Sequence, residues 1–380
     1  MGNTTGISVM GVFCVDTKII KIDMNSCDFD GKGKEDDRVV EALRDSLKEA
    51  GEIIREGGLV AFPTETVYGL GADAMNAEAS ARIYSAKGRP SDNPLIVHIA
   101  DVEQVTQIAA EIPRSAQAVM ERFWPGPLTI ILKKRPEVPK GTTGGLDTVA
   151  IRMPSHPVAR ALIRESGRVI AAPSANTSGR PSPTKAVHVW EDMKGRIPMI
   201  IDGGTVGIGI ESTILDMTEE APVILRPGYI TREMLEELLG PVTIDPAVAG
   251  RQMPVGIRAK APGMKYRHYA PKGQLVLVEG PEKPVIEKIN ALTKEKEAQG
   301  CRVGVIATDE TLPFYDADIR RSIGSRSHPE TIAANLYDIL RESDALELDY
   351  IYSESFFEEG LLDAVMNRML KAAGYHLITL

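Results

Sequence analysis

The sequence predicts an α/β protein of two unequal domains, a mixed sheet layered with helices and then a smaller βα unit. Three observations carry that expectation. At 380 residues the chain exceeds what one hydrophobic core ordinarily fills. Short apolar runs of strand length alternate with segments of helical periodicity along most of its length. Between residues 241 and 272 the alternation stops, with five prolines and with Arg251, Arg258, Lys260, Lys265, Arg267 and Lys272 set against the single acid Asp245.

Taken in order, residues 1–17 read as a tail or an early strand. The apolar run at 7–15 is too short to span a bilayer and has no basic segment in front of it. The opening MGNTTG places Gly6 where N-myristoylation needs Ser or Thr. From Asp36, residues Val39, Val40, Leu43, Leu47, Ala50 and Ile54 share one helical face, and Gly57 and Gly58 end the helix. Residues 59–63 form an apolar run entering a turn, and 76–89 a helix with Asn76 as N-cap. Further strands are expected at 95–100, 128–134, 148–154, 169–175, 197–202 and 212–217, with helices between several of them. The helix TREMLEELL closes the first domain, residues 1–240, whose core starts at about residue 36. Residues 241–272 are a long basic connector, either a spacer or a lid over an anionic site. Residues 273–380 repeat the βα alternation, with strands at 274–280, 302–308 and 349–355 and helices reaching Gly300, starting at Pro329 and starting at Glu358.

Composition narrows the function classes. With 43% hydrophobic and 26% charged residues the chain reads as an ordinary packed domain pair. A formal charge of −9 argues against holding nucleic acid by bulk electrostatics, so any RNA contact is local. Cys14, Cys27 and Cys301 form no C-x-x-C pair, and the six histidines show no H-E-x-x-H spacing. No permanent metal centre and no disulfide framework are therefore expected, and the protein reads as cytoplasmic, without a membrane partner.

Five stretches carry chemistry. FPTETVYGLGADA (62–74) crowds Thr64, Thr66, Tyr68, Gly69 and Gly71 at a strand end, suited to a compact polar ligand or simply to a turn. In AKGRPSDNPLIVH (86–98), Lys87 and Arg89 fall at a helix C-terminus, where they complement the helix dipole or, turned outward at Pro90, grip a polyphosphate. Ser91, Asn93 and His98 follow on the same edge, although His98 also fits a satisfied sheet histidine. Arg152, within an apolar strand, must meet an acid inside the protein or a ligand carboxylate. APSANTSGRPSPT (172–184) offers Ser174, Asn176, Thr177, Ser178, Gly179 and Ser182 as a phosphate or ribose cradle or as a surface loop. The glycine-rich segment 200–214 fits neither the dinucleotide fingerprint nor the P-loop pattern.

Together PTETVYGLG, K-x-R-P-x-x-x-P-L-x-x-H, A-x-R-x-P, P-S-A-N-x-S-G and G-x-x-S-T-I, in this order and spacing, resemble the YrdC family. The R-P-G at Arg226, the string MKYRHYAP (264–271) and the second α/β domain look like the family's long, two-domain form. The resemblance covers nearly everything from about Thr17 onward. It implies a twisted open mixed sheet with a cation-lined cavity and a Rossmann-like C-terminal domain. The implied activity condenses L-threonine, bicarbonate and magnesium-bound ATP into threonylcarbamoyl-AMP and pyrophosphate. Its product serves threonylcarbamoyl modification of the adenosine beside the anticodon of tRNA, with tRNA or other modification proteins as further partners. By the resemblance, Lys87, Arg89, Ser174 and Asn176 face the nucleotide phosphates, and Lys87 and Arg89 act as electrostatic catalysts. Thr64, His98, Arg152 and Ser212 match positions near the threonyl group. Ser91, Thr148, Ser182 and Arg226 match positions around ATP, while Tyr266, His268 and Tyr269 of the linker are candidates to close the site. The rival readings are a non-catalytic RNA-binding protein of the same fold and a carbamoyl-phosphate-using adenylating enzyme. The latter brings cysteine-rich zinc fingers that this chain lacks.

Overall fold

The computed structural model describes residues 15–22, 43–249, 260–262, 268–356 and 359–380. Eleven strands build the first sheet: β1 (Lys18–Lys21), β2 (Val60–Phe62), β3 (Gly69–Asp73), β4 (Ile96–His98), β5 (Leu128–Lys133), β6 (Thr148–Arg152), β7 (Ile170–Ala171), β8 (Met199–Asp202), β9 (Thr213–Asp216), β10 (Val223–Arg226) and β11 (Thr243–Ile244). Their spatial order is β1-β8-β2-β3-β7-β4-β6-β5-β9-β10-β11. Parallel pairs such as β4 with β6 mix with antiparallel pairs such as β2 with β3.

The helices are α1 (Lys48–Arg55), α2 (Ala77–Lys87), α3 (Arg114–Phe123), α4 (Pro157–Ser166), α5 (Ala186–Met193), α6 (Arg232–Leu239) and the single turn α7 (Pro246–Ala249). Strand side chains alternate between faces, and the apolar pattern uses both. Val60 and Phe62 of β2, with Met199 and Ile201 of β8, pack with Leu47, Ala50 and Ile54 of the first helical segment and Leu162 of α4. Ala61 and Ile200, one residue out of phase, join the core that holds Ile83 of α2, Val119 of α3 and Leu235 of α6.

Four differences from the sequence reading concern this domain, the first being β10 (Val223–Arg226), where no strand was expected. The stretch read as a strand end and turn at 62–74 contains a whole strand, β3, built largely of small residues. A Cβ on Gly71 would lie 2.7 Å from the Phe62 ring and 2.8 Å from Ile170, so the close approach of neighbouring side chains explains a glycine inside a strand. The sheet begins before residue 36, because Lys18–Lys21 pair in parallel with β8. At the other end β11 and α7 lie within the stretch read as linker; β11 pairs with β10 and extends the first sheet. Val39 and Val40 lie outside the described residues.

The second domain is a five-stranded, all-parallel sheet of order β14-β13-β15-β12-β16, from β12 (Gln274–Glu279), β13 (Val303–Thr308), β14 (Ile319–Gly324), β15 (Tyr350–Glu354) and β16 (Leu377–Thr379). Helix α8 (Glu282–Ala298) covers one face through Val285 and Ile289, against Val276 and Val278. Helices α9 (Pro329–Ala345) and α10 (Leu361–Ala372) cover the other, against Leu275 and Leu277. That second core takes in Val67 and Ile210 of the first domain and Tyr269 of the linker, so one apolar cluster crosses the domain boundary. Arg341 of α9 also reaches across, 2.9 Å from the carboxylate of Asp192. Among the described residues no helix is long and apolar enough to cross a membrane.

Candidate functional site

One cavity gathers residues from the β2–β3 turn, β3, β4, β6, β10, the end of α2 and the 172–179 turn. Thr64, Lys87, Arg89, His98, Arg152, Ser174, Asn176, Ser212, Arg226, His268 and Tyr269 all line it.

Lys87 and Arg89 owe their placement to a helix end. Asn76 caps α2 by accepting from the backbone N–H groups of Glu78 and Ala79, and Gly88, at φ 62°, turns the chain between the two cations. Lys87 Nζ then donates to the carbonyl oxygens of Ser174 and Asn176 at 2.5 Å each. Ser174 Oγ in turn donates to Asn176 Oδ1 at 2.5 Å. Arg89 Nη2 donates to the carbonyl of Pro94 at 3.2 Å, while its Nε has no hydrogen-bond partner among the described residues. Burial, reinforced by Arg89, holds the Lys87 ammonium well below its ordinary pKa. Burial likewise lowers Arg89, to about 10.

At the other side of the cavity Arg152 ends β6, four residues after Thr148. Its Nη1 donates to Thr66 Oγ1 at 2.9 Å and its Nε to the Gly126 carbonyl at 3.3 Å. Glu65 lies 2.8 Å from Nη2, attracted by charge without an aligned hydrogen bond. The internal acid expected for a buried arginine is thus Glu65. His98 faces the same corner, and burial together with Arg152 pushes its imidazole down to about 3. It is a neutral ring, with Nδ1 3.2 Å from the Ile96 carbonyl. Thr64 Oγ1 donates to the Val67 carbonyl at 2.7 Å and lies 2.9 Å from Thr66 Oγ1, which fixes the turn after β2.

Ser212 and Arg226 form a third wall. Arg226 Nε donates to the Ser212 carbonyl at 3.0 Å and Nη2 to Ser212 Oγ at 3.2 Å, while Thr129 Oγ1 lies 2.7 Å from the same hydroxyl. Beside them stands Glu211, the only acid among the described lining residues. Lys87, Arg89, Arg152 and Arg226 therefore surround a buried space whose own acid is already bonded elsewhere.

Residues 268–270 of the linker close this space. Ala270 N donates to the Gly179 carbonyl at 2.9 Å, and His268 and Tyr269 lie over the cations. Tyr269 adopts φ 65°, a left-handed conformation uncommon for an aromatic residue, and its ring packs against that of Tyr337 in α9, tilted by 33° with centroids 5.2 Å apart. Burial and the nearby Arg89 push His268 down to about 3, and its Nε2 has no partner among the described residues. With the linker seated, about 60 Å³ of open space remains, room for a few waters.

Three expected residues stand apart from the lining. Ser91 is exposed on the turn after α2. Thr148 starts the strand that Arg152 ends, about 13 Å away at the usual rise. Ser182 is buried beneath the wall and donates to Glu211 Oε1 at 2.6 Å. Tyr266 lies outside the described residues. Sequence reading missed Glu211, Pro262 and the two second-domain residues that hold Glu211, Tyr337 and Arg368. Only Glu211 left a local signal, an acid directly before the S-T-I string.

Fold and site define an α/β protein with a buried, cation-lined pocket closed by a linker and backed by a second domain. Residues 52–228 match the Sua5, YciO and YrdC family, described under telomere recombination. Residues 230–374 match the C-terminal domain of threonylcarbamoyl-AMP synthase. The threonylcarbamoyl-AMP synthase of Bacillus subtilis is 51% identical over 334 residues, 87% of this chain and 94% of that protein. That of Schizosaccharomyces pombe is 39% identical over 363 residues, 87% and 88% of the two chains. A crystal structure of Pyrococcus abyssi Sua5 complexed with L-threonine superposes with a TM-score of 0.84 at 52% identity, covering 89% of this chain and 96% of that one. The chain belongs to the threonylcarbamoyl-AMP synthase family, in the form that carries the Sua5 C-terminal domain.

Proposed function

We propose that the protein is an L-threonylcarbamoyladenylate synthase, condensing L-threonine, bicarbonate and ATP to threonylcarbamoyl-AMP and pyrophosphate. The observation that carries this reading is the convergence of Lys87, Arg89, Arg152 and Arg226 on one buried cavity. Even with Glu65 offsetting Arg152, the positive charge gathered there is costly alone and is stabilised by a polyanion.

The amine of threonine takes up bicarbonate with loss of water. A carbamate oxygen then attacks the α-phosphorus of ATP, and pyrophosphate leaves. Every participant is anionic, so the rate rests on fixed positive charge and positioning, with no covalent nucleophile. Lys87, Arg89, Ser174, Asn176 and Arg226 serve the phosphates; Thr64, His98, Arg152 and Ser212 serve the threonyl group. Neutral His98 offers a hydrogen bond without adding charge. Magnesium would come with ATP as the Mg–ATP substrate and would offset phosphate charge there, while Glu211 stays engaged by Ser182, Tyr337 and Arg368. Among the described residues no cluster of three or more His, Cys, Asp or Glu could hold a metal.

His268 and Tyr269 exclude water from the labile carbamate and mixed anhydride, and they withdraw to admit ATP, for which 60 Å³ is far too small. The product's use in tRNA modification, in the cytoplasm, completes the proposal. Pyrophosphate release from ATP, measured with and without L-threonine and bicarbonate, tests it. Dependence on both is expected; equal release without either overturns the reading.

A further inference from the structure

We infer that the second domain is part of the catalytic apparatus, and that Arg368 and Tyr337 are positioning residues that fix Ser212 and Arg226 by clamping the chain on either side of them. The inference rests on the function proposed above and concerns the same cavity.

Arg368 of α10 is fully buried and spends its donors on the cavity wall. Its Nε donates to Glu211 Oε2 at 3.2 Å and its Nη2 to the Glu211 backbone carbonyl at 3.1 Å. Its Nη1 donates to the carbonyl of Pro227 and, at 3.1 Å, to that of Ala364 in its own helix. Glu211 directly precedes Ser212 and Pro227 directly follows Arg226. One planar guanidinium therefore bridges the two segments that carry the Ser212–Arg226 pair, a task for a rigid fork of donors rather than a point charge.

Tyr337 of α9 adds the second contact. Its hydroxyl donates to Glu211 Oε2 at 2.8 Å, while its ring forms the seat against which Tyr269 of the linker packs. The same second-domain side chain thus touches both the wall of the cavity and its cover. Glu211 is held as a carboxylate despite burial, because Arg368 and Arg226 outweigh the cost of desolvation. Steric packing leaves little slack: a Cβ on Gly228 would lie 2.5 Å from the backbone nitrogen of Thr213, so the two segments already touch.

A mere fastener between domains would also hold these bonds, and the exposed pair Lys185–Asp338, at 2.8 Å, is such a fastener. The experiment compares them in the full chain through steady-state pyrophosphate release and thermal unfolding. Arg368→Lys keeps the charge but not the bridge, and Tyr337→Phe keeps the ring but not the bond to Glu211. Each is expected to raise KM for ATP about tenfold, in line with one lost hydrogen bond to a charged group, while Lys185→Met leaves KM unchanged. Combining Arg368→Lys with Glu211→Gln should cost clearly less than the product of the single effects, because both act on one clamp. Wild-type KM in folded Arg368→Lys and Tyr337→Phe overturns the inference, as do losses that simply multiply in the double variant. Titration of ATP into the same variants by calorimetry reads the clamp without catalysis. If the wild type releases no pyrophosphate in response to threonine and bicarbonate, the function fails and the ATP affinities still decide whether Arg368 positions the site.

Discussion

The ammonium of Lys87 sits 2.5 Å from the backbone carbonyl of Asn176, although 89 residues separate the two in the chain. This contact joins the end of α2 to the turn after β7, and it holds a buried cation against one lip of the cavity. Removing the charge removes both the link and the electrostatic stabilisation of the leaving pyrophosphate. Lys87→Ala and Arg89→Ala are each expected to lower turnover by about a hundredfold. Full activity in both purified variants would count against their assignment as electrostatic catalysts.

Arg152 offers a separate test of the threonyl side. Its three nitrogens address Thr66, the Gly126 carbonyl and Glu65 in different directions. A lysine has one donor group and cannot hold that arrangement. Arg152→Lys should lower kcat/KM for L-threonine by roughly ten- to a hundredfold, with a smaller change in KM for ATP. A kcat/KM for L-threonine equal to that of the wild type would contradict it.

Closure by the linker depends on the Tyr269 ring more than on its hydroxyl, since the ring makes the tilted contact with Tyr337. Tyr269→Phe is expected to keep most activity. Tyr269→Ala should raise KM for ATP about tenfold, within what loss of one well-buried aromatic anchor costs. Kinetics alone distinguish the two variants, and equal impairment would show that ring packing is not what seats the linker.

Stability should fall on mild acidification. Burial lowers His98 and His268 to about 3 and His156 to about 4, all beneath the ordinary imidazole value of 6.5. Below pH 6.5 the unfolded chain binds protons that these rings refuse while folded, so stability is complete above that value and is lost as pH drops towards 4. Each ring contributes about 2 kcal/mol of this loss by pH 5 at 1.36 kcal/mol per pH unit. His156 accepts from Val158 N at the start of α4, a role asparagine can fill. His156→Asn should therefore show a smaller fall in Tm between pH 7 and 5 than the wild type, and an unchanged slope would refute the argument.

The elements whose pattern is local were the legible ones. Asn76 does cap α2, as a short polar side chain before an apolar-periodic segment predicts, and TREMLEELL does form a helix, α6. The apolar runs at 128–134 and 274–280 are the strands β5 and β12, where alternate residues serve two cores. β3 hid behind its glycines, because strand propensity reads side chains while Gly71 is placed by what Phe62 and Ile170 leave vacant. The ends of the linker misled for a related reason: Thr243–Ile244 is too short to show a period, and only pairing with β10 makes it a strand.

By itself the sequence determined the class of fold, the order of those strands and helices that carry a clear local period, and the kinds of side chain available at each turn, since periodicity and capping are properties of neighbours in the chain. The tertiary structure alone decided that Glu65 neutralises Arg152, that Tyr269 rests on Tyr337, and that Arg368 braces a wall 157 residues earlier. Such pairings depend on how two domains pack, and a buried ion finds its partner only where desolvation forces one to be found.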